Sequence, residues 1–430
     1  DVMNYLSKSI FGRILILAVP LALLSCERAV ETPKAPVSPE LKQQLQTLVD
    51  EHVMPGAVAL IANKDGIIAE AIVGYRDVAE LEPMTEDTIF RLYSMSKPIT
   101  SVGVMMLVEK GSLKLDQPLE SILPEFAHMR VFESGTVDNM VTVPAERSIT
   151  IRDLLIHESG ITYHFTGNTP VHQYYRKYGV MRDTPVGRTP EDGEPAHSLD
   201  ELVARLGKAP LLYQPGTEFA YSYSTTVLGA VIERVSGQSL DVYLRQKVFE
   251  PLGMRDTGFF IDDDKLDRFV TNYMMTDKGL TEIESPVDSD YRDHHRLLDG
   301  GGAIAGTAHD YLRFARMLAN GGELDGHRLL SAATVEEMFT EHARIKNLGP
   351  EIGFGFGFAL GDASTAKMGM MPEGTVGWSG SGNTFFWIRP KTGDIVVFMT
   401  QVITPPPYYE VAGRFRTVVN TVADKLLSGE

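Results

Sequence analysis

A serine and a lysine stand three residues apart at the start of a long apolar segment, in Ser94-Met95-Ser96-Lys97. The following residues are apolar at a spacing that predicts a buried helix: Ile99, Val102, Val104, Met105, Met106 and Leu107. Residues at i and i+3 share one helix face, so the Ser94 hydroxyl and the Lys97 amine can touch. A lysine that loses its charge on burial can take the proton of a serine nucleophile. The alternative interpretation is a helix-capping serine followed by a surface lysine.

Apolar segments near both ends of the chain have the composition of paired strands. Residues 57–62 and 67–73 flank Asp65-Gly66, which is a hairpin turn signal. Residues 384–388 and 395–400 flank a second turn in the same way. Hairpins pair antiparallel strands, and strands bury their apolar faces by joining one sheet. The sequence therefore predicts an antiparallel sheet built from both ends of the chain.

Helical patterns flank these strands and dominate the middle of the chain. Leu41, Leu45 and Leu48 repeat at helical spacing before the first hairpin. A last helix after the second hairpin is predicted from one apolar face: Phe415, Val418, Val419, Val422 and Leu426. The predicted class is α+β, with a sheet part at about 40–110 and 310–430 and a mostly helical insertion at about 111–309. Ser94 lies near the junction of the two parts, where a cleft is expected.

The charge balance argues against several kinds of partner. The chain has 40 Lys and Arg against 57 Asp and Glu, for a net charge of −17, and it has no basic tract. Nucleic acid and anionic lipid surfaces are therefore disfavoured. The neighbours His294 and His295 point opposite ways on an extended segment, so a polar loop is favoured over a metal site. We expect no metal and no organic cofactor.

The beginning of the chain has the pattern of an export signal. Lys8 and Arg13 precede an apolar run at 14–24, which is too short for a comfortable membrane span. The run ends in Leu23-Leu24-Ser25-Cys26, which resembles a bacterial lipobox. We expect residues 1–25 to be removed, Cys26 to be lipidated and the Pro-rich residues 26–39 to form a tether. Glu27 resembles the pattern sorted to the outer membrane of Gram-negative cells, and the alternative is an ordinary secretory signal.

Two further segments have chemistry that a serine nucleophile would need. Tyr221 lies in Gln214-Pro215-Gly216-Thr217-Glu218-Phe219-Ala220-Tyr221-Ser222-Tyr223, on a predicted turn before a helix. Small residues in Gly377-Trp378-Ser379-Gly380-Ser381-Gly382-Asn383 let a sheet edge approach a ligand, where an unpaired N–H can donate to an oxyanion. Taken alone, Tyr221 favours a packed aromatic residue with a bonded hydroxyl, and the Gly-rich stretch favours a simple turn.

The ordered motifs resemble those of the serine β-lactamase and penicillin-binding-protein superfamily, in its class C-like branch and closest to the family VIII carboxylesterases. The resemblance covers nearly the whole chain after the leader. Leu154-Leu155-Ile156-His157-Glu158-Ser159-Gly160 looks like a structural turn of the family, and the segment beginning Gly300-Gly301-Gly302 looks like its Gly-rich segment. The implied architecture is a β-lactamase/transpeptidase-like domain at 40–430.

The resemblance also implies roles for individual residues. Ser94 is implied as the nucleophile, with Lys97 and Tyr221 moving its proton. The backbone N–H groups of Ser94 and Ser381 are implied as the oxyanion hole. The position that carries Lys-Thr-Gly in β-lactamases and often Trp-Gly-Gly in the esterases is here Trp378-Ser379-Gly380, which resembles the esterase version.

Two departures from the β-lactamase pattern bear on the substrate. Tyr223 stands where those enzymes carry an asparagine that contacts the drug, and Trp378 replaces a lysine that holds the drug carboxylate. Both positions, with Ser379 and Gly380, are expected to contact substrate. Loss of a cation and an amide removes contacts worth about 1 to 3 kcal/mol each, which favours an ester without a carboxylate.

The predicted function is a serine hydrolase, a carboxylesterase acting on short-chain esters. Alternatives are a class C-like β-lactamase, a D-amino-acid peptidase, an acyltransferase and a non-catalytic penicillin-binding-like module. The expected partner is a small ester or amide, with membrane contact only through a lipid anchor at Cys26. The chain has no complete Gly-x-Ser-x-Gly motif, which disfavours an α/β-hydrolase nucleophile.

Overall fold

The computed structural model describes residues 35–184, 188–346 and 351–428. The predicted leader 1–25, Cys26 and most of the tether lie outside the described residues, so those expectations stay predictions. Among the helices in the described part of the chain, none combines the length and apolarity needed to cross a bilayer.

Helices occur along the whole described chain and are numbered here in chain order. They are α1 Pro39–Asp50, α2 Ser96–Glu109, α3 Ile151–Leu155, α4 Pro170–Lys177, α5 Leu199–Leu206, α6 Ser224–Ser236, α7 Leu240–Leu244, α8 Glu250–Leu252, α9 Ala308–Ala319, α10 Ala332–Met338, α11 Ala363–Lys367 and α12 Tyr409–Ser428. A π-helical turn, Arg245–Phe249, joins α7 to α8.

The strands are numbered in the same way. They are β1 Gly56–Ala62, β2 Ile67–Asp77, β3 Glu82–Pro83, β4 Phe90–Arg91, β5 Arg130–Thr136, β6 Asn139–Pro144, β7 Asn272–Thr276, β8 Gly279–Glu284, β9 Ala305–Gly306, β10 Glu323–Leu324, β11 His327–Arg328, β12 Ala343–Ile345, β13 Ile352–Phe354, β14 Ala359–Leu360, β15 Val376–Ser379, β16 Phe385–Arg389, β17 Asp394–Met399 and β18 Val402–Ile403.

A nine-stranded antiparallel sheet joins the two ends of the chain, as predicted. Its order is β12-β13-β14-β15-β16-β17-β1-β2-β3, and β1 pairs with β17 from Val58 opposite Met399 to Ala62 opposite Ile395. All seven residues of β1 are buried, because helices cover the sheet: α9 packs on β1 and β17, and α1 packs on β2. The predicted α+β fold is confirmed.

The predicted terminal helices are present, with one correction to the last helical face. Phe415, Val419 and Val422 of α12 are buried, whereas Val418 is half-buried and Leu426 is exposed. Ala423 is buried in place of Leu426, because the helix turns by about 100° per residue and the apolar stripe drifts along it.

The middle of the chain contains more strand than the sequence predicts. Two hairpins, β5–β6 and β7–β8, lie within residues 111–309, and β18 adds to β7 in parallel. Most residues of β5 and β6 are exposed or half-buried, so they show no clean alternation of buried and exposed side chains. This lack of alternation explains why the sequence pattern did not predict these strands.

Candidate active site

Ser94 lies in a single 3₁₀ turn, Tyr93–Met95, directly before α2 rather than inside the helix. Tyr93 has a positive φ of 47°, a conformation that non-glycine residues seldom adopt and that concentrates at functional sites. Its buried hydroxyl accepts a hydrogen bond from Asn272 Nδ2 at 2.7 Å. The Tyr311 hydroxyl donates to the Met95 carbonyl oxygen at 2.9 Å. Contacts on both sides of Ser94 therefore fix the direction of its side chain.

The structure brings the three distant residues Ser94, Lys97 and Tyr221 together. Tyr221 Oη lies 2.7 Å from Ser94 Oγ, and Lys97 Nζ lies 3.2 Å from the same oxygen. Both groups are placed to donate to the serine oxygen, although 127 residues separate Ser94 from Tyr221. This is the geometry of a nucleophile within hydrogen-bond reach of two proton-transfer groups.

Lys97 is buried, with 2% of its surface exposed. Its amine donates to the Gly301 carbonyl oxygen at 2.7 Å and lies 4.6 Å from the centre of the Tyr221 ring. One turn further along α2, Thr100 Oγ1 donates to the Gly300 carbonyl oxygen at 2.7 Å. The segment beginning at Gly300 thus holds the lysine against the serine.

Asp299 and Arg182 anchor this Gly-rich segment, and the sequence did not identify either residue. Asp299 Oδ1 accepts hydrogen bonds from Thr226 Oγ1 at 2.6 Å and from the Gly301 backbone N–H at 2.7 Å. Arg182 Nε pairs with Asp299 Oδ2 at 2.9 Å. Burial is the largest single influence and lowers the pKa of Arg182, but Asp299 and other neighbouring acidic groups together raise it by more, so the guanidinium stays charged. The positive charge of Arg182 and the negative charge of Asp299 therefore offset each other on this side of the site.

Aromatic rings surround the Tyr221 phenol. The rings of His157, Tyr163 and Trp378 lie 5.1, 5.2 and 5.7 Å from its centre. His157 also contacts the residues before and after Tyr221. Its carbonyl oxygen accepts a hydrogen bond from the Ala220 backbone N–H at 2.8 Å, and its Nδ1 lies 3.0 Å from Ser222 Oγ. Burial, together with the Lys97 charge, lowers the pKa of His157 well below its usual range. A neutral His157 is consistent with the turn histidine expected from the sequence.

The Gly-rich stretch after β15 packs against the turn that holds Ser94. β14 pairs only with Val376 and Gly377 of β15, so Trp378 and Ser379 have a strand partner on one side alone. A Cβ on Gly380 would lie 2.4 Å from the Leu92 carbonyl oxygen, so only glycine allows this approach. Ser381 is exposed and lines the same cavity as Ser94. The formation of an oxyanion hole by the backbone N–H groups of Ser94 and Ser381 remains a prediction.

A cavity of about 450 Å³ opens above Ser94. Its lining includes Gly380 but neither Ser379 nor Trp378, whose ring instead contacts Tyr221 and, at 5.3 Å, Phe354. Tyr223 also lines the cavity, but it is only 1% exposed, and its hydroxyl lies 2.8 Å from His164 Nδ1. Burial raises the pKa of Tyr223, so it presents a neutral phenol.

One cluster among the described residues has the composition of a metal site, and the sequence did not suggest it. Glu70, Glu86 and His309 could each offer one ligand atom, and none of the three lines the cavity above Ser94. His294 Nε2 lies 3.3 Å from Asp262 Oδ1, and its ring stacks on Phe260 at 4.5 Å. His294 therefore has polar and aromatic partners of its own, as a loop histidine would.

Comparison with known families identifies the family to which this fold belongs. The β-lactamase family model matches residues 41–421. That span contains all three of Ser94, Lys97 and Tyr221, along with the Gly-rich segments.

Individual proteins with esterase names are similar over most of their length. Esterase EstB of Burkholderia gladioli is 30% identical over 371 residues, covering 81% of this chain and 86% of EstB. Lovastatin esterase of Penicillium rubens is 30% identical over 346 residues, covering 77% of this chain and 79% of that protein. The solved structure of EstCE1, described as a hydrolase with promiscuous acyltransferase activity, has a TM-score of 0.72 and 29% identity and covers 88% of this chain and 97% of EstCE1.

Proposed function

Because the chain belongs to the β-lactamase family, we propose that it is a serine hydrolase that cleaves carboxylic esters through an acyl-enzyme intermediate. One observation carries the proposal. Ser94 Oγ lies at once 2.7 Å from Tyr221 Oη and 3.2 Å from Lys97 Nζ, beside an open cavity. Similarity to EstB and EstCE1 supports an ester as the substrate.

The acylation step follows from this geometry. Ser94 Oγ attacks the ester carbonyl carbon, the carbonyl electron pair moves to the oxygen, and the serine proton passes to the Tyr221–Lys97 pair. The backbone N–H groups of Ser94 and Ser381 stabilise the oxyanion. When the carbon–oxygen bond to the alcohol breaks, the same pair returns the proton to the departing alkoxide. The products are an alcohol and an ester of Ser94.

Deacylation uses the same residues in the reverse direction. Water takes the place of the alcohol, and Tyr221 with Lys97 accepts its proton as its oxygen attacks the acyl carbon. The bond to Ser94 Oγ then breaks, the proton returns to the serine, and the acid leaves. An alcohol that replaces this water would give acyl transfer instead, which is the activity printed for EstCE1. Transfer to an added alcohol is our second candidate function.

The surroundings of the phenol support an ester rather than a β-lactam drug. Trp378 contributes an apolar ring beside Tyr221, where a lysine would hold a drug carboxylate. Tyr223 Oη already lies in hydrogen-bond contact with His164, so it is less available than a free amide to a drug side chain.

A parallel rate comparison tests the proposal. We would measure kcat/KM for p-nitrophenyl butyrate, nitrocefin and a D-Ala-D-Ala peptide with the wild type and Ser94→Ala. We expect the ester to be the best substrate and Ser94→Ala to lose its turnover. A higher kcat/KM for the peptide or nitrocefin than for the ester would overturn the substrate assignment.

We also propose that the protein is exported and anchored to the outer membrane, facing the periplasm, by a lipid on Cys26. The Leu23-Leu24-Ser25-Cys26 sequence and Glu27 support this proposal. The test is labelling of the full chain with a fatty-acid probe in a Gram-negative host. We expect label in the wild type and none in Cys26→Ala. A mature chain that begins at another residue would contradict the anchor.

A further inference from the structure

Two exposed aromatic side chains line the cavity above Ser94. Phe165 is 55% exposed and Tyr409 is 65% exposed. The other strongly exposed large apolar side chains of the described chain lie outside this cavity: Val37, Leu81, Val141, Tyr178, Val287, Met368 and Leu426. A single exposed apolar residue needs no explanation, but two in one concave site indicate a ligand surface.

Phe165 begins a series of ring contacts that leads to the nucleophile. It stacks on Tyr163, with ring centres 4.8 Å apart and planes inclined by 21°. Tyr163 meets Tyr221 edge to face at 5.2 Å, and Tyr221 Oη lies 2.7 Å from Ser94 Oγ. A flat group that lies along these rings would stay in contact with aromatic side chains as far as Ser94 Oγ.

The wall that carries Tyr409 is apolar as well. Tyr409 is the first residue of α12, and Pro405, Pro406, Ile403 and Ala412 line the cavity beside it. The charge of Arg182, which also lines the cavity, is balanced by Asp299 at 2.9 Å. The cavity therefore suits a neutral, apolar group. Its volume of about 450 Å³ falls in the range of pockets that enclose drug-sized ligands, well beyond a short acyl chain.

We infer that the substrates are neutral esters carrying an aromatic ring or a similarly flat group, bound between Phe165 and Tyr409. The inference rests on the proposed ester hydrolysis at Ser94 and names its substrate class. It adds a flat ring to the short-chain esters expected from the sequence, because a small aliphatic ester would leave both exposed rings uncovered.

The test compares benzyl acetate with cyclohexylmethyl acetate, which differs in having a saturated, puckered ring. Ring stacking predicts that the wild type prefers the benzyl ester by about twofold to tenfold in kcat/KM. Phe165→Ala and Tyr409→Ala should each bring this ratio towards one. Tyr178→Ala is the matched control, because Tyr178 is 50% exposed but does not line the cavity. The ratio should keep its wild-type value in that variant.

A binding measurement separates this inference from the proposed activity. Calorimetry with Ser94→Ala should show tighter binding of benzyl acetate than of cyclohexylmethyl acetate. Equal affinities, or an unchanged preference in both Phe165→Ala and Tyr409→Ala, would overturn the aromatic site even if esters are hydrolysed. If benzyl acetate binds preferentially but no ester is turned over, the aromatic site stands and the esterase proposal fails.

Discussion

Lys97 Nζ donates a hydrogen bond to the carbonyl oxygen of Gly301, 2.7 Å away in space and 204 residues away in sequence. The Gly301 backbone N–H is itself bonded to Asp299, which pairs with Arg182. A long lysine side chain has several rotamers, and this carbonyl selects the one that approaches Ser94. The proposed proton acceptor is therefore positioned by a segment that contributes no side chain to the reaction.

Replacing Lys97 tests whether the amine takes part in the chemistry. Lys97→Met keeps the length of the side chain but removes the proton-transfer group, so kcat/KM for an ester should fall by about 10³-fold or more. The double variant Ser94→Ala, Lys97→Met should be no slower than Ser94→Ala, because residues that act as a unit are not additive. A folded Lys97→Met within tenfold of the wild type would rule out this role.

Tyr221→Phe isolates the phenol hydroxyl. The substitution removes the 2.7 Å contact with Ser94 Oγ and retains the ring that packs against His157 and Trp378. We expect kcat to fall by about 10²- to 10⁴-fold while the melting temperature changes little. Tyr178→Phe, at an exposed tyrosine outside the cavity, is the control. Equal rates in the two variants would show that the hydroxyl is dispensable.

Gly380 is predicted to tolerate no side chain. The Cβ of Gly380→Ala would lie 2.4 Å from both the Leu92 carbonyl oxygen and Thr384 Oγ1, and must displace the turn beside Ser94. We expect a loss of about 1–3 kcal/mol in the free energy of unfolding, measured in urea, and lower esterase activity. In Gly413→Ala, on an open face of α12, the unfolding free energy should rise by up to about 1 kcal/mol. Wild-type stability in Gly380→Ala would contradict the packing described here.

His309 is predicted to make stability depend on pH. Its Nε2 lies 3.1 Å from Glu70 Oε1, and its Nδ1 lies 3.1 Å from the Glu86 carbonyl oxygen, and only the charged imidazolium donates from both nitrogens. Burial is the largest single influence and lowers the pKa of His309, but Glu70 and Glu86 together raise it by more, so the net shift is upward. A raised pKa gives stabilisation that is complete below pH 6.5 and is lost as the pH rises through the folded-state value.

The variant for this prediction is His309→Gln. Urea unfolding should show a larger loss of stability relative to the wild type at pH 5.5 than at pH 9.5. A difference that is constant or grows with pH would mean that the ion pair does not contribute in this way.

The sequence predicted those parts of the site that depend on local motifs. Ser94 and Lys97 are three residues apart, and the 3₁₀ turn at Ser94 leads directly into α2, so their proximity follows from the local helical spacing. The terminal hairpins follow from turn signals between apolar strands. The Arg182–Asp299 pair and the contact of Tyr163 with Tyr221 depend on segments that meet only in the folded chain. Their residue types carry no signal at that separation, because a buried ion pair and a surface pair look alike in a sequence. The expected contact of Trp378 with substrate follows from its position in the motif. In the structure its ring packs against Tyr221 and is not part of the cavity lining.

Covalent labelling tests the central claim most directly. The full chain would be treated with a fluorophosphonate and digested, and the modified peptide identified by mass spectrometry. The account predicts one modified site, Ser94, with labelling abolished in Ser94→Ala and strongly slowed in Lys97→Met. A folded wild-type protein that stays unlabelled at Ser94, or is labelled at a different serine, would contradict it.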